Sequence, residues 1–154
     1  MATKTGATNA IALLKEDHDR VKELFRRYKE AGEAAYAEKR RLAERIFKEL
    51  EIHSALEEEL FYPSLRNVTD EEGAELISEG VEEHHVVDLL IHELKQMDPR
   101  DETYDAKLTV LCENVEHHIE EEEGEMFPDA QRHLRSELDT LGERMQQRKR
   151  ELQA

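Results

Sequence analysis

The sequence has no tryptophan, three prolines, six glycines and a single cysteine, Cys112. One cysteine excludes an intramolecular disulfide and any paired-cysteine zinc or redox motif. No apolar run approaches the roughly 20 residues of a membrane-spanning helix. The opening MATKTGATNA lacks the apolar core of a signal peptide. A cytoplasmic location and no membrane association are therefore expected. Positive charge is scarce as well: 22 Lys and Arg stand against 38 Asp and Glu, a net charge of −16. That balance argues against nucleic acid as a partner, because phosphate binding needs a basic surface. It is compatible with binding cations.

What is present is a helix-forming mixture rich in Glu, Lys, Arg, Leu and Ala, with 39% charged residues in a 154-residue chain. The length fits one domain with a real core. So polar a composition raises the question of disorder, and the apolar periodicity decides against it. Helical spacing recurs in five stretches. The first covers about 10–31, with Asn9 as N-cap and Ile11, Leu14, Val21, Leu24, Phe25 and Tyr28 in its stripe. The second, about 38–61, carries Leu42, Ile46, Leu50, Leu56 and Leu60 and ends at or just before Pro63. Thr69 or Asp70 can cap the third, about 74–97, which Asp98-Pro99 terminates. The fourth covers about 103–126, and Pro128 closes it or starts the next segment; a last helix covers about 129–152.

The fold class read from this pattern is all-α. It is an up-down-up-down antiparallel four-helix bundle over residues 10–128, after a flexible N-terminus at 1–9. An amphipathic helix over 129–154 then packs on the outside or extends away. Its basic end, RMQQRKR, is an ordinary docking helix or a contact for a partner.

The two halves of the bundle resemble each other. KEDHDRVKEL around His18 aligns with VEEHHVVDLL around His84 at an offset of 66 residues. IHSALEEELFYP aligns with HHIEEEEGEMFP at an offset of 65, which sets His53 on His118, Glu57 on Glu122 and Pro63 on Pro128. At about 100° per residue, His18 falls in the stripe of Leu14, Val21 and Phe25. His53 and Glu57 share the stripe of Leu50 and Leu60. His84 lies among Ile77, Val81, Val87 and Ile91, and His118 and Glu122 share the stripe of Leu111, Val115 and Met126. His117 and His133 point to solvent, and Glu58, Glu59, Glu121 and Glu123 read as a solvated face.

A single inward histidine is ordinarily a hydrogen-bonded core residue. Four of them, one per helix, with two inward glutamates and no obvious inward cation, make a different set. Buried carboxylates without partners are very costly, and divalent cations remove that cost. A metal-free buried polar network is the alternative. HxxxE places both side chains on one helix face, one turn apart. The histidine can bind one metal while the glutamate reaches a second, so two metals suit the set better than one. Such sites keep open positions of the kind O2, peroxide or NO chemistry requires, whereas zinc more often settles in a closed four-coordinate site.

The order His18, His53-xxx-Glu57, His84, His118-xxx-Glu122 resembles the hemerythrin-like, or HHE cation-binding, family over residues 10–128. That resemblance implies a non-haem di-iron centre, two iron ions bridged by oxo or hydroxo, with those six residues as ligands. It also implies a small diatomic or peroxide ligand, and a role in carrying O2, sensing oxygen, iron or redox state, or reacting with peroxide or NO. Two departures separate the chain from the oxygen carriers of the family. Their second third-helix histidine is replaced by Asp88, and their fourth-helix spacing, longer and ending in Asp, is replaced by HxxxE. The expectation is therefore catalase-like peroxide disproportionation, with non-catalytic O2 or NO binding or iron/redox sensing as the alternative. Asp88, His85, His92 and Tyr28 are candidates for an additional ligand or a partner behind the ligands. Tyr62 and Tyr104, like Tyr28, could project into or near the core. Core filling is their first reading, and ligation, hydrogen bonding or oxidation beside an iron pair is the alternative. Cys112 reads as an inert buried thiol. A ferritin-like carboxylate centre needs two Glu-x-x-His motifs. Only Glu82 to His85 supplies one, off the central stripe. The sequence leaves protein partners and oligomeric state open.

Overall fold

A computed structural model of the chain describes residues 9–32 and 34–154. The expected flexible N-terminus, apart from Asn9, lies outside the described residues. Helix α1 spans Ala10–Glu30, and the Asn9 side chain caps it by accepting from the amides of Ile11 and Ala12. Helix α2 spans Tyr36–Leu56 and continues through a π-helical turn, Glu57–Phe61, into α3, Tyr62–Arg66. Helix α4 spans Glu71–Lys95, with the Asp70 carboxylate accepting from the Gly73 amide as N-cap. Helix α5 spans Tyr104–Glu121, passes through a second π-helical turn, Glu122–Met126, and becomes α6, Phe127–His133. Helix α7 spans Leu138–Gln153.

Pro63 does not end its helix, contrary to the sequence reading, and Pro128 starts the next segment, one of the two readings the sequence left open. Proline lacks an N–H and clashes with the carbonyl four residues back. Each π turn inserts one residue, with Tyr62 N–H bonding Glu57 O and Phe127 N–H bonding Glu122 O. Each proline thereby falls in the first turn of a new helical segment, where its missing donor is not needed. Both π turns begin on the repeated glutamates.

The last predicted helix is also split, because Leu134 leaves helical geometry at φ −119°, ψ 15°. Burial of both Leu134 and Leu138 in one apolar cluster draws the chain through a tight turn there. Helix α7 then packs along α1 and α2 rather than extending away, with Leu138, Leu141, Met145 and Lys149 buried.

Two apolar clusters fill the bundle. One gathers Val21, Leu24, Phe25, Leu42, Ile46, Leu50, Leu94, Leu108 and Leu111; the other gathers Leu14, Leu56, Phe61, Leu65, Ile77, Met126 and Phe127. Along α1, α2, α4 and α5 the buried polar residues sit between the contributions to these clusters, so a polar layer is sandwiched between two dry ones. Each fully buried Leu or Phe contributes about 1.5–3 kcal/mol. That apolar burial is what holds the polar layer closed.

Candidate metal centre

Four imidazoles and two carboxylates meet in the polar layer, and all six are buried. The two glutamates have no solvent exposure, at 0% each. Glu57 sets one oxygen 3.2 Å from His53 Nε2 and the other 2.9 Å from His84 Nε2. Glu122 sets one oxygen 3.0 Å from His18 Nε2 and the other 3.0 Å from His118 Nε2. Each carboxylate therefore spans both histidine pairs. His18, His53, Glu57 and Glu122 offer four donor atoms within 4.8 Å of one another, and so do Glu57, His84, His118 and Glu122. Two cation-sized positions share both glutamates.

The outward nitrogens are as regular as the inward ones. His18 Nδ1 lies 2.7 Å from Glu123, His53 Nδ1 3.0 Å from Asp17, His84 Nδ1 2.6 Å from Glu58 and His118 Nδ1 2.6 Å from Glu83. An imidazole that donates Nδ1–H to a carboxylate presents an oriented, electron-rich Nε2, the arrangement behind histidines that hold metals. Three inward atoms, His53 Nε2, His84 Nε2 and Glu57 Oε2, are buried without a hydrogen-bond partner. The short contacts from Glu57 to the two imidazoles lack hydrogen-bond geometry. Unsatisfied buried polar atoms are rare in folded proteins, and a cation at each position would satisfy them. The residues fit metal.

The electrostatics follow from the same crowding. Burial opposes charge on His53, but the Glu57 carboxylate and a hydrogen bond to Asp17 outweigh it and hold its pKa well above 6.5. His118 is carried up to about 12, burial being outweighed by Glu122. His84 is raised as well, burial losing to Glu57. Burial and the charge of Glu122 push Glu57 up, but His53 and His118 bring it to about 2. Glu122 lies well below the ordinary carboxylate range, burial being outweighed by its contact with Glu57 and by His118. Without metal, the two carboxylates favour the charged forms of His53, His84 and His118.

The chain matches the hemerythrin HHE cation-binding domain over residues 9–130. The chain belongs to the hemerythrin HHE cation-binding family. An uncharacterized hemerythrin-like protein of Schizosaccharomyces pombe is 28% identical over 122 residues, covering 79% of this chain and 59% of that protein. The chain thus spans about three-fifths of the length of this curated relative. A crystal structure of a hemerythrin HHE cation-binding domain-containing protein from Mycobacterium kansasii superposes with a TM-score of 0.79 at 30% identity. It covers 94% of this chain and 86% of that one. Among the described residues no helix is long and apolar enough to cross a membrane.

Four sequence candidates fall outside this hemerythrin-like centre. Asp88 is exposed in a surface groove with Glu51, Glu58 and His92. His85 and His92 are exposed too, and His92 contacts Gln96 instead. Tyr28 lies roughly 15 Å along α1 from His18; its hydroxyl donates to Asp105 at 2.7 Å within the other apolar cluster. His117 is exposed as expected, 3.2 Å from Glu121.

Other residues were read as bland and are not. Glu58 and Glu123, assigned to a solvated face, hold histidines of neighbouring helices. Tyr62, for which a hydrogen bond is the alternative to core filling, donates its hydroxyl to Glu122 at 2.9 Å and Glu57 at 3.2 Å. Its ring stacks on His84, while its repeat-mate Phe127 stacks on His18. Burial and the two carboxylates push its pKa far up. Gly80 gives this hydroxyl room: a Cβ there would stand 2.9 Å from the Tyr62 oxygen and 3.5 Å from His118. Gly80→Ala should lower the unfolding temperature of the metal-free protein, although alanine favours helix by about 1 kcal/mol. Overpacking beside a rigid ring costs about 1–3 kcal/mol, and thermal unfolding by circular dichroism reads the net sign.

Proposed function

We propose that the chain holds two iron ions in the layer and acts on a small oxidant, with hydrogen peroxide disproportionation as its reaction. The observation that carries this reading is that the two groups of four donors share both glutamates. His18 and His53 would hold one ion, His84 and His118 the other, and Glu57 and Glu122 would bridge them. Two imidazoles and two carboxylate oxygens per ion leave room in an octahedral set, which favours iron over a closed zinc site. An iron pair supplies redox-active Lewis acids with open positions for a small ligand.

The protein's part is to shape and dry that position. A cavity of about 20 Å³ lies against the four imidazoles, walled by Val21, Leu50, Val87, Val115 and Ile119. That is room for little more than one water-sized molecule, so it selects a ligand of two heavy atoms and rejects bulky hydroperoxides. With Asp88, His85 and His92 outside the layer, only four imidazoles serve the pair. This poorer histidine set supports turnover of peroxide, one molecule reduced to water and another oxidised to dioxygen, over reversible O2 carriage. The same small cavity has room for O2 or NO, which keeps non-catalytic binding or sensing as the second reading.

Protein expressed in iron-replete medium should carry about two irons per chain and release dioxygen from added peroxide. Absence of stoichiometric metal would sink the two-metal reading. A reversible ligand spectrum without dioxygen release would move the function to binding or sensing. His117→Ala should keep its full metal content.

A further inference from the structure

The four carboxylates behind the histidines are not equally placed. Glu123, Glu58 and Glu83 have side chains 33%, 42% and 27% exposed. Among the described residues none of the three has a Lys or Arg within ion-pair distance. All three are open to solvent. Asp17 is different: its side chain is 2% exposed, and Lys149 Nζ reaches it at 2.5 Å from α7. Arg20 also contacts it, at 3.1 Å, but that guanidinium is half-exposed and shared with Glu49 at 3.4 Å. Lys149 is itself buried, one turn beyond the fully buried Met145.

We propose that Lys149 is a positioning residue for the His18/His53 half of the centre, acting through Asp17, so that docking of α7 sets one metal position and not the other. This rests on the two-metal reading above. One Asp17 oxygen takes Lys149 while the other takes His53 Nδ1. A buried carboxylate deprived of its cation must find another or reach water. Without Lys149, Asp17 turns towards Arg20 and the solvent edge and releases His53. The imidazole then loses the acceptor that fixes its ring and tautomer, a change that typically weakens metal binding about 10- to 100-fold. His84 and His118 depend on Glu58 and Glu83 and are untouched. The helix outside the bundle thereby breaks the near-symmetry of the repeat.

The experiment compares wild type with Lys149→Met, which keeps length and apolar stem, and Lys149→Arg, which keeps charge. In metal-free protein, imidazole-selective NMR should show a downfield, slowly exchanging Nδ1–H on both His53 and His118 of the wild type. Lys149→Met should lose the His53 signal alone, and Lys149→Arg should restore it. In equilibrium titrations with ferrous ion, Lys149→Met should weaken one of two binding steps about 10- to 100-fold and leave the other unchanged. Lys149→Gln, which keeps a donor in the buried pocket, gives the same selective loss at smaller size and serves if the methionine variant unfolds. A preserved His53 signal, joint loss of both signals, or equal weakening or tightening of both steps would overturn the proposal. A wild type that takes up no iron would instead sink the two-metal reading, while the imidazole signals still decide the role of Lys149.

Discussion

Replacing Glu122 by alanine should empty both metal positions, whereas replacing His18 should weaken one. Glu122 sends one oxygen to His18 and the other to His118, 3.0 Å away in each case, so its loss withdraws a donor and a negative charge from both sides at once. Glu57 stands in the same relation to His53 and His84 and should behave alike. The metal-free fold should suffer as well. His53 and His118 have raised pKa values that depend on these carboxylates, and breaking a buried pair by removing one partner typically costs about 3–5 kcal/mol. Glu122→Gln separates the effects, because it keeps the volume and an acceptor for the Tyr62 hydroxyl while removing the charge. Equilibrium dialysis followed by metal analysis reads the outcome: near-zero metal for Glu57→Ala and Glu122→Ala, and about one ion per chain for His18→Ala if each ion has its own histidine pair. Loss of a single ion on removing either glutamate would show that the carboxylates do not bridge.

The six inward residues were legible because their direction follows from spacing within one helix. HxxxE stacks a histidine and a glutamate on one face whatever the helix packs against. The bundle was legible for the same reason, since four amphipathic stretches with short connections have few ways to bury their stripes. What the sequence hid depends on register between helices. Glu58 and Glu123 sit beside Glu57 and Glu122 at the edge of the stripe, and their role appears only when α4 and α1 bring His84 and His18 within reach. Asp17 and Glu83, each one residue before a buried histidine, are hidden likewise. The repeat did carry a trace of them, because Asp17 aligns with Glu83 and Glu58 with Glu123. An acidic residue repeated beside a repeated histidine is a signal that periodicity alone discards. The π turns were invisible, since a 3.6-residue period contains no mark of one inserted residue.

The repeat also shows where the two halves part. Ring distances are nearly the same, 4.9 Å between His18 and His53 and 4.8 Å between His84 and His118. On one side Phe127 covers His18, and on the other Tyr62 covers His84 and adds a hydroxyl to both Glu57 and Glu122. On the first side a buried lysine pairs with Asp17, the carboxylate behind His53. A nearly symmetric scaffold thus offers two chemically unequal positions.

Acid should strip the metals steeply. Metal takes histidine in its neutral form, so every imidazole charged in the metal-free protein must give up a proton on binding. Each displaced proton changes affinity about tenfold per pH unit. His84 and His118 both have raised pKa values, and of the other pair His53 does. Binding should therefore weaken about 100-fold per pH unit at the His84/His118 position and at least about tenfold at the other. The carboxylates do not add to this between pH 7 and 5, since Glu57 is held at about 2 and Glu122 well below its ordinary range. Stability of the metal-free fold runs the opposite way. The raised histidines stabilise it fully below 6.5, and that contribution is lost as pH rises through their folded values. The lowered glutamates stabilise it above 4.5, and their contribution is lost as pH falls towards about 2. Going from pH 6 to pH 8, metal binding tightens while the empty site gains nothing, so the gap in unfolding temperature between loaded and metal-free protein should widen. Calorimetry of both forms across that range, with proton release measured in buffers of different ionisation enthalpy, tests the pair of signs. A gap that stays constant or narrows would mean that the imidazoles are already neutral before the metal arrives.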